Sequence, residues 1–144
     1  MTILEQLSQF YGFLLGKILQ QMEDQFADVL APYNLNARQF GVLVFIEENP
    51  FSSQKLISEQ LQIDRTTMVS HVDHLEASGF VERTKNASDR RAYRLILTEK
   101  GSDVLSSCKQ ILVQTEYEVL SPLTDDEKKL CKDLLLKVWK KYKN

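Results

Sequence analysis

Residues 64–101, DRTTMVSHVDHLEASGFVERTKNASDRRAYRLILTEKG, constrain this chain more than any other stretch, because they set a short helix directly before a pair of strands. Asp64 suits a helix N-cap, since its carboxylate can accept the free N–H groups of the first turn, and Ile63 can pack on Met68 as a hydrophobic staple. Met68, Val72 and Leu75 follow at i, i+4 and i+7 with Val69 beside them. At helical periodicity Thr66, Ser70, Asp73 and Ala77 then fall on the opposite side. Gly79 supplies a left-handed stop after Ser78, and Phe80 can fold back as a C-terminal cap contact.

Upstream, Leu56, Ile57, Leu61 and Ile63 mark a shorter helix beginning near Ser53 or Gln54, which leaves only Gln62 and Ile63 as the joint to Asp64. Two helices joined so tightly predict a helix-turn-helix, whose second member lies in the DNA major groove. The exposed N-terminal half then carries the contacts. Arg65 reaches a phosphate or a guanine edge, and Thr66, Thr67 and Ser70 are short hydroxyl donors for phosphates or bases. His71 stands at the boundary of the two faces and joins them as a candidate DNA-binding residue, with His74 nearer solvent.

Downstream, Val81 to Lys85 and Ala92 to Leu97 predict two strands, the second alternating Tyr93, Leu95 and Leu97 against Arg94 and Ile96. The intervening Asn86 to Arg91 is rich in turn formers. Five basic residues (Arg83, Lys85, Arg90, Arg91, Arg94) face one acid (Asp89) across 83–94, a local excess of four in a chain of net charge −2. A charge run is ordinarily a solvated loop. At a hairpin tip beside a polar helix face, Arg90 and Arg91 instead fit a wing that follows the backbone or enters a minor groove. Asp89, itself unsuited to phosphate, is expected to accept hydrogen bonds from Arg91 and orient it.

The predicted helix with Leu75, Glu76, Gly79, Val81 and Arg83, then Asp89 and Arg91, then Leu95, Leu97, Thr98 and Gly101, resembles the MarR/SlyA family of bacterial winged-helix transcriptional regulators. The likeness lies in motif, spacing and element order, and it extends over essentially the whole chain. It implies a homodimer whose wing arginine, here Arg91, enters the minor groove. In many members it also implies a ligand pocket between the DNA-binding lobe and the dimerisation helices. On that basis Phe10, Phe13, Leu14, Lys17, Arg38 and Phe45 are the candidate pocket residues, with Lys17 or Arg38 pairing an acidic aromatic or phenolic effector, although each is equally at home in core or interface packing.

The remaining sequence supplies helices at both ends. Ile3, Leu7, Phe10, Leu14, Ile18, Met22, Phe26 and Val29 form one apolar stripe ended by Pro32. One helix over that stretch would run roughly 40 Å, longer than a small lobe can cover. Asn36 with Gln39 opens a helix carrying Phe40, Leu43, Val44 and Ile46, which ends near Asn49 and Pro50, with Leu35 stapling to Phe40. Thr98 caps a helix with Val104, Cys108, Ile111, Leu112, Thr115 and Val119, which Pro122 breaks. Thr124 and Glu127 make a capping box for a last helix bearing Leu130, Leu134, Leu135, Val138, Trp139 and Tyr142. The expected fold is mainly α with a small β-hairpin wing. A winged helix-turn-helix lobe spans 36–101, dimerisation helices span 1–31 and 102–144, and all of 1–144 forms one domain.

Other chemistry finds little support. The sequence offers no signal peptide and no run of roughly twenty apolar residues, so a cytoplasmic protein without membrane attachment is expected. Cys108 lies on an apolar stripe and Cys131 next to Leu130, which suits packing, and their separation from His71 and His74 gives no metal-ligand spacing. No phosphate loop or nucleophile elbow predicts a catalytic residue or a cofactor. Glu47 with Glu48 and Asp125 with Asp126 look like solvated helix-end charges. The expected function is sequence-specific binding of double-stranded DNA by a homodimer, as a ligand-responsive repressor on a pseudo-palindromic operator. The competing readings are a winged-helix protein-docking module without DNA binding and a cysteine-based redox-sensing regulator.

Overall fold

The first thirty residues do not form one helix. In the computed structural model, which describes residues 1–86 and 89–143 with side chains at 1–85 and 93–143, helix α1 (Ile3–Leu7) is separated from α2 (Tyr11–Leu30) by Ser8, Gln9 and an extended Phe10. Ser8 Oγ donates to the Glu5 carbonyl at 2.8 Å and Gln9 Nε2 to the Gln6 carbonyl at 2.8 Å. Both side chains satisfy carbonyls that a continuing helix would have bonded, which is how short polar residues compete with helix. A 3₁₀ turn, Ala31–Tyr33, carries Pro32 and ends at the left-handed Asn34.

The chain then forms α3 (Ala37–Glu48), strand β1 (Ser52–Ser53), α4 (Gln54–Leu61), α5 (Arg65–Ala77), β2 (Val81–Asn86), β3 (Asp89–Leu97), α6 (Glu99–Val119) and α7 (Asp125–Trp139). The predicted caps form. Asn36 and Gln39 exchange bonds of 2.8 and 3.1 Å, Asp64 accepts from the Thr67 N–H at 3.0 Å, and Thr124 with Glu127 makes a capping box. Hydrogen bonds from Thr67 hold the Asp64 carboxyl below its ordinary range, and bonds from Thr124 do the same for Glu127. The three strands run antiparallel in the order β1, β3, β2, with Arg83 opposite Leu95 and Ser52 on its other side. The two-residue β1 was not legible in the sequence. It exists because Phe51, at φ 65, turns its N–H onto the Leu95 carbonyl at 2.9 Å.

One core unites these elements. Phe26 and Leu30 of α2 meet Phe40, Val42, Leu43 and Ile46 of α3, then Ile57, Met68, Val72, Leu75, Phe80, Val81 and Leu95, and finally Val104, Leu105 and Cys108 of α6. Phe26 and Phe40 pack edge to face with centroids 5.1 Å apart. Val69, expected beside the core face of α5, lies instead on its exposed side. Glu47 is not simply solvated, because Lys109 of α6 binds it at 2.7 Å.

The end of α5 is joined to the start of α6 through backbone. Gly79 sits at φ 80, the Phe80 N–H returns to the Leu75 carbonyl at 2.9 Å, and the Phe80 carbonyl accepts from the Thr98 N–H at 3.0 Å. The Thr98 hydroxyl bonds the Gly79 carbonyl at 2.6 Å while accepting from the Gly101 N–H at 3.0 Å. Gly101 is therefore required by space: a Cβ there would lie 2.1 Å from the Phe80 carbonyl oxygen, and that neighbour is backbone. Gly101→Ala is expected to lower unfolding free energy by at least about 1–3 kcal/mol, the usual cost of overpacking. Denaturant unfolding of the variant measures it, and an unchanged midpoint would mean that α6 slides freely along the lobe.

Candidate nucleic-acid interface

Helix α5 presents its N-terminal half outward. Arg65, Thr66 and Ser70 are exposed and Thr67 is half-buried, while Met68, Val72 and Leu75 seat the opposite face in the core. The joint to α4 is tight. Ser53 caps α4 through the Leu56 N–H at 3.1 Å, and Gln62, left-handed at φ 55, ends it. The Ile63 N–H then returns to the Ser58 carbonyl at 3.0 Å, so the direction of α5 is set within two residues of its cap. Four predicted contact residues thus share one solvent-facing edge.

His71 does not belong to that edge. It is only 8% exposed and its Nε2 has no hydrogen-bond partner among the described residues, so it faces the core. Its neighbours one, three and four positions away, Val72, Met68 and Leu75, are all fully buried, which places residue 71 on their side of the helix. Burial, with the charge of Arg38 and the neighbouring His74, favours the neutral ring and lowers its pKa against a weaker opposing pull from Asp64. His74 lies nearer solvent, as expected, and its Nε2 meets the Asn34 carbonyl at 2.6 Å.

Two of the five hairpin cations serve the scaffold. Arg83 reaches across from β2 to α5, its Nη1 donating to Glu76 at 2.9 Å and its Nη2 to Asp73 at 2.5 Å. Burial of the guanidinium opposes its charge, but the two carboxylates outweigh that penalty and its pKa rises. Arg94 donates to the Phe51 carbonyl at 3.1 Å and fastens β3 to the α3–β1 loop. In sequence both look like free positive charge. Their partners are distant in sequence: packing of β2 on α5 brings Arg83 to Asp73 and Glu76, and pairing of β1 with β3 brings Arg94 to the Phe51 carbonyl. Lys85 remains exposed. Arg90 and Arg91 lie on the β3 backbone near the hairpin tip, and the expected Asp89–Arg91 bond lies outside the described side chains.

The six candidate pocket residues are not gathered around one cavity. Phe10, Phe13, Leu14 and Lys17 lie along the start of α2, with the Lys17 ammonium 6.0 Å from the Phe13 ring centroid. Arg38 is exposed at the start of α3, and Phe45 packs against the core. A cavity of about 330 Å³ opens instead beside α5, lined by Ala31, Asn34, Leu35, Asn36, Gln39 and His74. Cys108 is fully buried and burial pushes its thiol pKa up, the opposite of what a reactive thiolate needs; Cys131 is half-buried. Among the described residues no three His, Cys, Asp or Glu side chains cluster as metal ligands, and no helix is long and apolar enough to cross a membrane.

The lobe and its arms have close counterparts. The model of the MarR family matches residues 33–92. The transcriptional regulator BilQ of Clostridioides difficile is 30% identical over 106 residues, 73% of this chain and 72% of its own length. The transcriptional repressor CouR, solved on a 23-mer DNA duplex, superposes with a TM-score of 0.86 at 29% identity, covering 96% of this chain and 98% of that one. A mutant of MarR from E. coli, complexed with operator DNA, gives a TM-score of 0.81 at 27% identity, covering 96% and 99%. These relatives are transcriptional regulators rather than enzymes. With the winged helix-turn-helix, the motif from Leu75 to Gly101 and these likenesses in agreement, the chain belongs to the MarR family of transcriptional regulators.

Proposed function

We propose that this chain is a homodimeric, ligand-responsive repressor of the cytoplasm that reads a pseudo-palindromic operator with recognition helices about one helical turn apart. Residues 36–101 form the reading lobe, and 1–31 with 102–144 form the arms that pair with a second copy. The observation carrying the DNA reading is the outward N-terminal edge of α5, where Arg65, Thr66 and Ser70 stand exposed with Thr67 beside them over a fully seated core face. Arg65, Thr66, Thr67 and Ser70 enter the major groove, while Arg90 and Arg91 reach the minor groove from the wing, Asp89 orienting Arg91. DNA-bound CouR and MarR, which match nearly the whole chain, support this use of the fold.

Pairing of the arms is supported by their unspent apolar surface. Ile3 and Leu4 are 74% and 67% exposed, and Leu14, Ile18, Leu134 and Trp139 are each exposed by more than 40%. These belong to α1, α2 and α7, and exposed large apolar residues are concentrated on the arms, although Phe51, Leu56, Val69 and Tyr93 of the lobe are exposed too. The α2 stripe divides accordingly, with Phe26 and Leu30 buried in the chain's own core and its N-terminal part left open. The effector, a small aromatic or phenolic acid, docks where α2 meets the lobe and the partner's arms. Within one chain these residues line no common cavity, so in this reading the second copy completes the site, with Phe10, Phe13, Leu14 and Phe45 as apolar walls and Lys17 or Arg38 as the counter-charge.

Three measurements follow. Selection of bound fragments from random duplex should enrich one inverted repeat with the intact protein, and Arg65→Ala or Arg91→Ala should each cost about 1–3 kcal/mol per half-site on that repeat. Binding by the intact protein without any preferred sequence would leave the docking-module reading in front. Removal of residues 1–13 should convert the dimer to monomer in sedimentation and weaken operator binding at least tenfold; a truncated dimer would count against the arm assignment. A phenolic acid such as salicylate should raise the melting temperature of the intact protein but not of a variant with Lys17→Gln and Arg38→Gln. Equal shifts in both would remove these residues from the effector site.

A further inference from the structure

The reading helix and wing do not account for the most concentrated positive charge in the chain. Lys137, Lys140, Lys141 and Lys143 fall within seven residues that contain no carboxylate, in a protein of net charge −2. Helix α7 is polarised, with Asp125, Asp126 and Glu127 in its first turn and Lys137 in its last. One lysine there suffices to complement the helix dipole. The other three lie beyond the last helical residue, Trp139, and the ion pairs among the described residues leave all three out.

The fold brings this segment to the reading end of the lobe. The Tyr142 carbonyl accepts a hydrogen bond of 2.7 Å from Gln62 Nε2, joining positions 80 residues apart. Gln62 is the left-handed residue of the helix-turn-helix joint and stands two residues before Asp64, the cap of α5. Lys143 lines a cavity of about 210 Å³ with Gln62, Gln60 and Glu59, and the Glu59 carboxylate pairs with Lys55 at 4.0 Å. The end of α5 that carries Arg65 and Thr66 is therefore the end beside which the lysine tail is tethered. Phosphates flanking a groove occupied by a helix N-terminus come within reach of long, solvated lysine side chains at that distance, and such contacts are insensitive to sequence.

We propose that Lys140, Lys141 and Lys143 form an additional DNA contact, a sequence-independent clamp on backbone phosphates flanking the groove entered by α5, held in place by the Gln62–Tyr142 bond. The proposal rests on the DNA-binding reading above and adds a surface outside the helix-turn-helix and wing. Its test compares the full-length protein, a triple variant K140Q/K141Q/K143Q and the corresponding triple lysine-to-arginine variant, on an operator fragment and on random duplex, over a range of salt concentrations. The glutamine variant should bind both duplexes more weakly by a similar factor, and its plot of log K against log salt should be shallower by about 0.9 for every phosphate contact removed. The arginine variant should restore both. A steep slope for the intact protein left unchanged in the glutamine variant overturns the clamp alone. A loss confined to the operator also overturns it, making the tail a strut that aims α5. A flat salt response of the intact protein would overturn the clamp and the DNA-binding reading together.

Discussion

The contact on which the rest of the architecture depends is the closure of Gly101 against the Phe80 backbone. It brings the first turn of α6 so near the end of α5 that a side chain at 101 would overlap a carbonyl oxygen. Around it, Thr98 bonds the Gly79 carbonyl, Lys100 donates to the Ser78 carbonyl at 3.0 Å, and the Lys100 ammonium lies 5.2 Å from the Phe80 ring centroid. Reading helix and arm are thereby fastened through main chain, which deforms little, and not only through side chains that can change rotamer. A rotation of α6 is carried directly into the C-terminal end of α5.

Arg83 extends the same rigidity to the wing. By holding Asp73 and Glu76 at once, it fixes β2 on the flank of α5 while the N-terminal edge of that helix stays exposed. Both carboxylates would otherwise stand as unpaired negative charge beside the edge of α5 proposed above to meet DNA. Pairing them with a largely covered guanidinium orders the wing root and removes most of that repulsion. Wing root, α5 and the start of α6 are thereby joined through short contacts, and in the dimer proposed above a modest differential affinity between two spacings of such lobes would be enough to switch it.

Local signals in the sequence were legible wherever a short stretch determined the outcome. Asn36 with Gln39, Asp64, Gly79, Thr98, and Thr124 with Glu127 mark helix ends through bonds spanning three residues, and each forms as expected. Long-range partners were not legible. Arg83 and Arg94 look like free cations until the packing of β2 on α5 and of β3 beside β1 sets them against carboxylates and a carbonyl from other elements. His71 sits near the angular boundary of its helix, where periodicity alone assigns neither face, and in the fold it is buried with Met68, Val72 and Leu75. The break at Ser8 and Gln9 escaped because the apolar period persists through it, while two polar side chains capture the carbonyls that would have propagated the helix.

The role proposed for the C-terminal lysines is illegible in sequence for the same reason. At helical spacing they follow Leu134, Leu135, Val138 and Trp139, and a basic helix end is ordinary where a dipole needs a counter-charge. Only the Gln62–Tyr142 bond relates them to the reading head, and it joins a side chain and a main-chain carbonyl 80 residues apart, with no pattern to announce it. That bond makes a second link between arm and head, at the N-terminal side of α5, opposite the Gly101 closure at its C-terminal side. Two links at opposite ends of one helix restrain its tilt as well as its position.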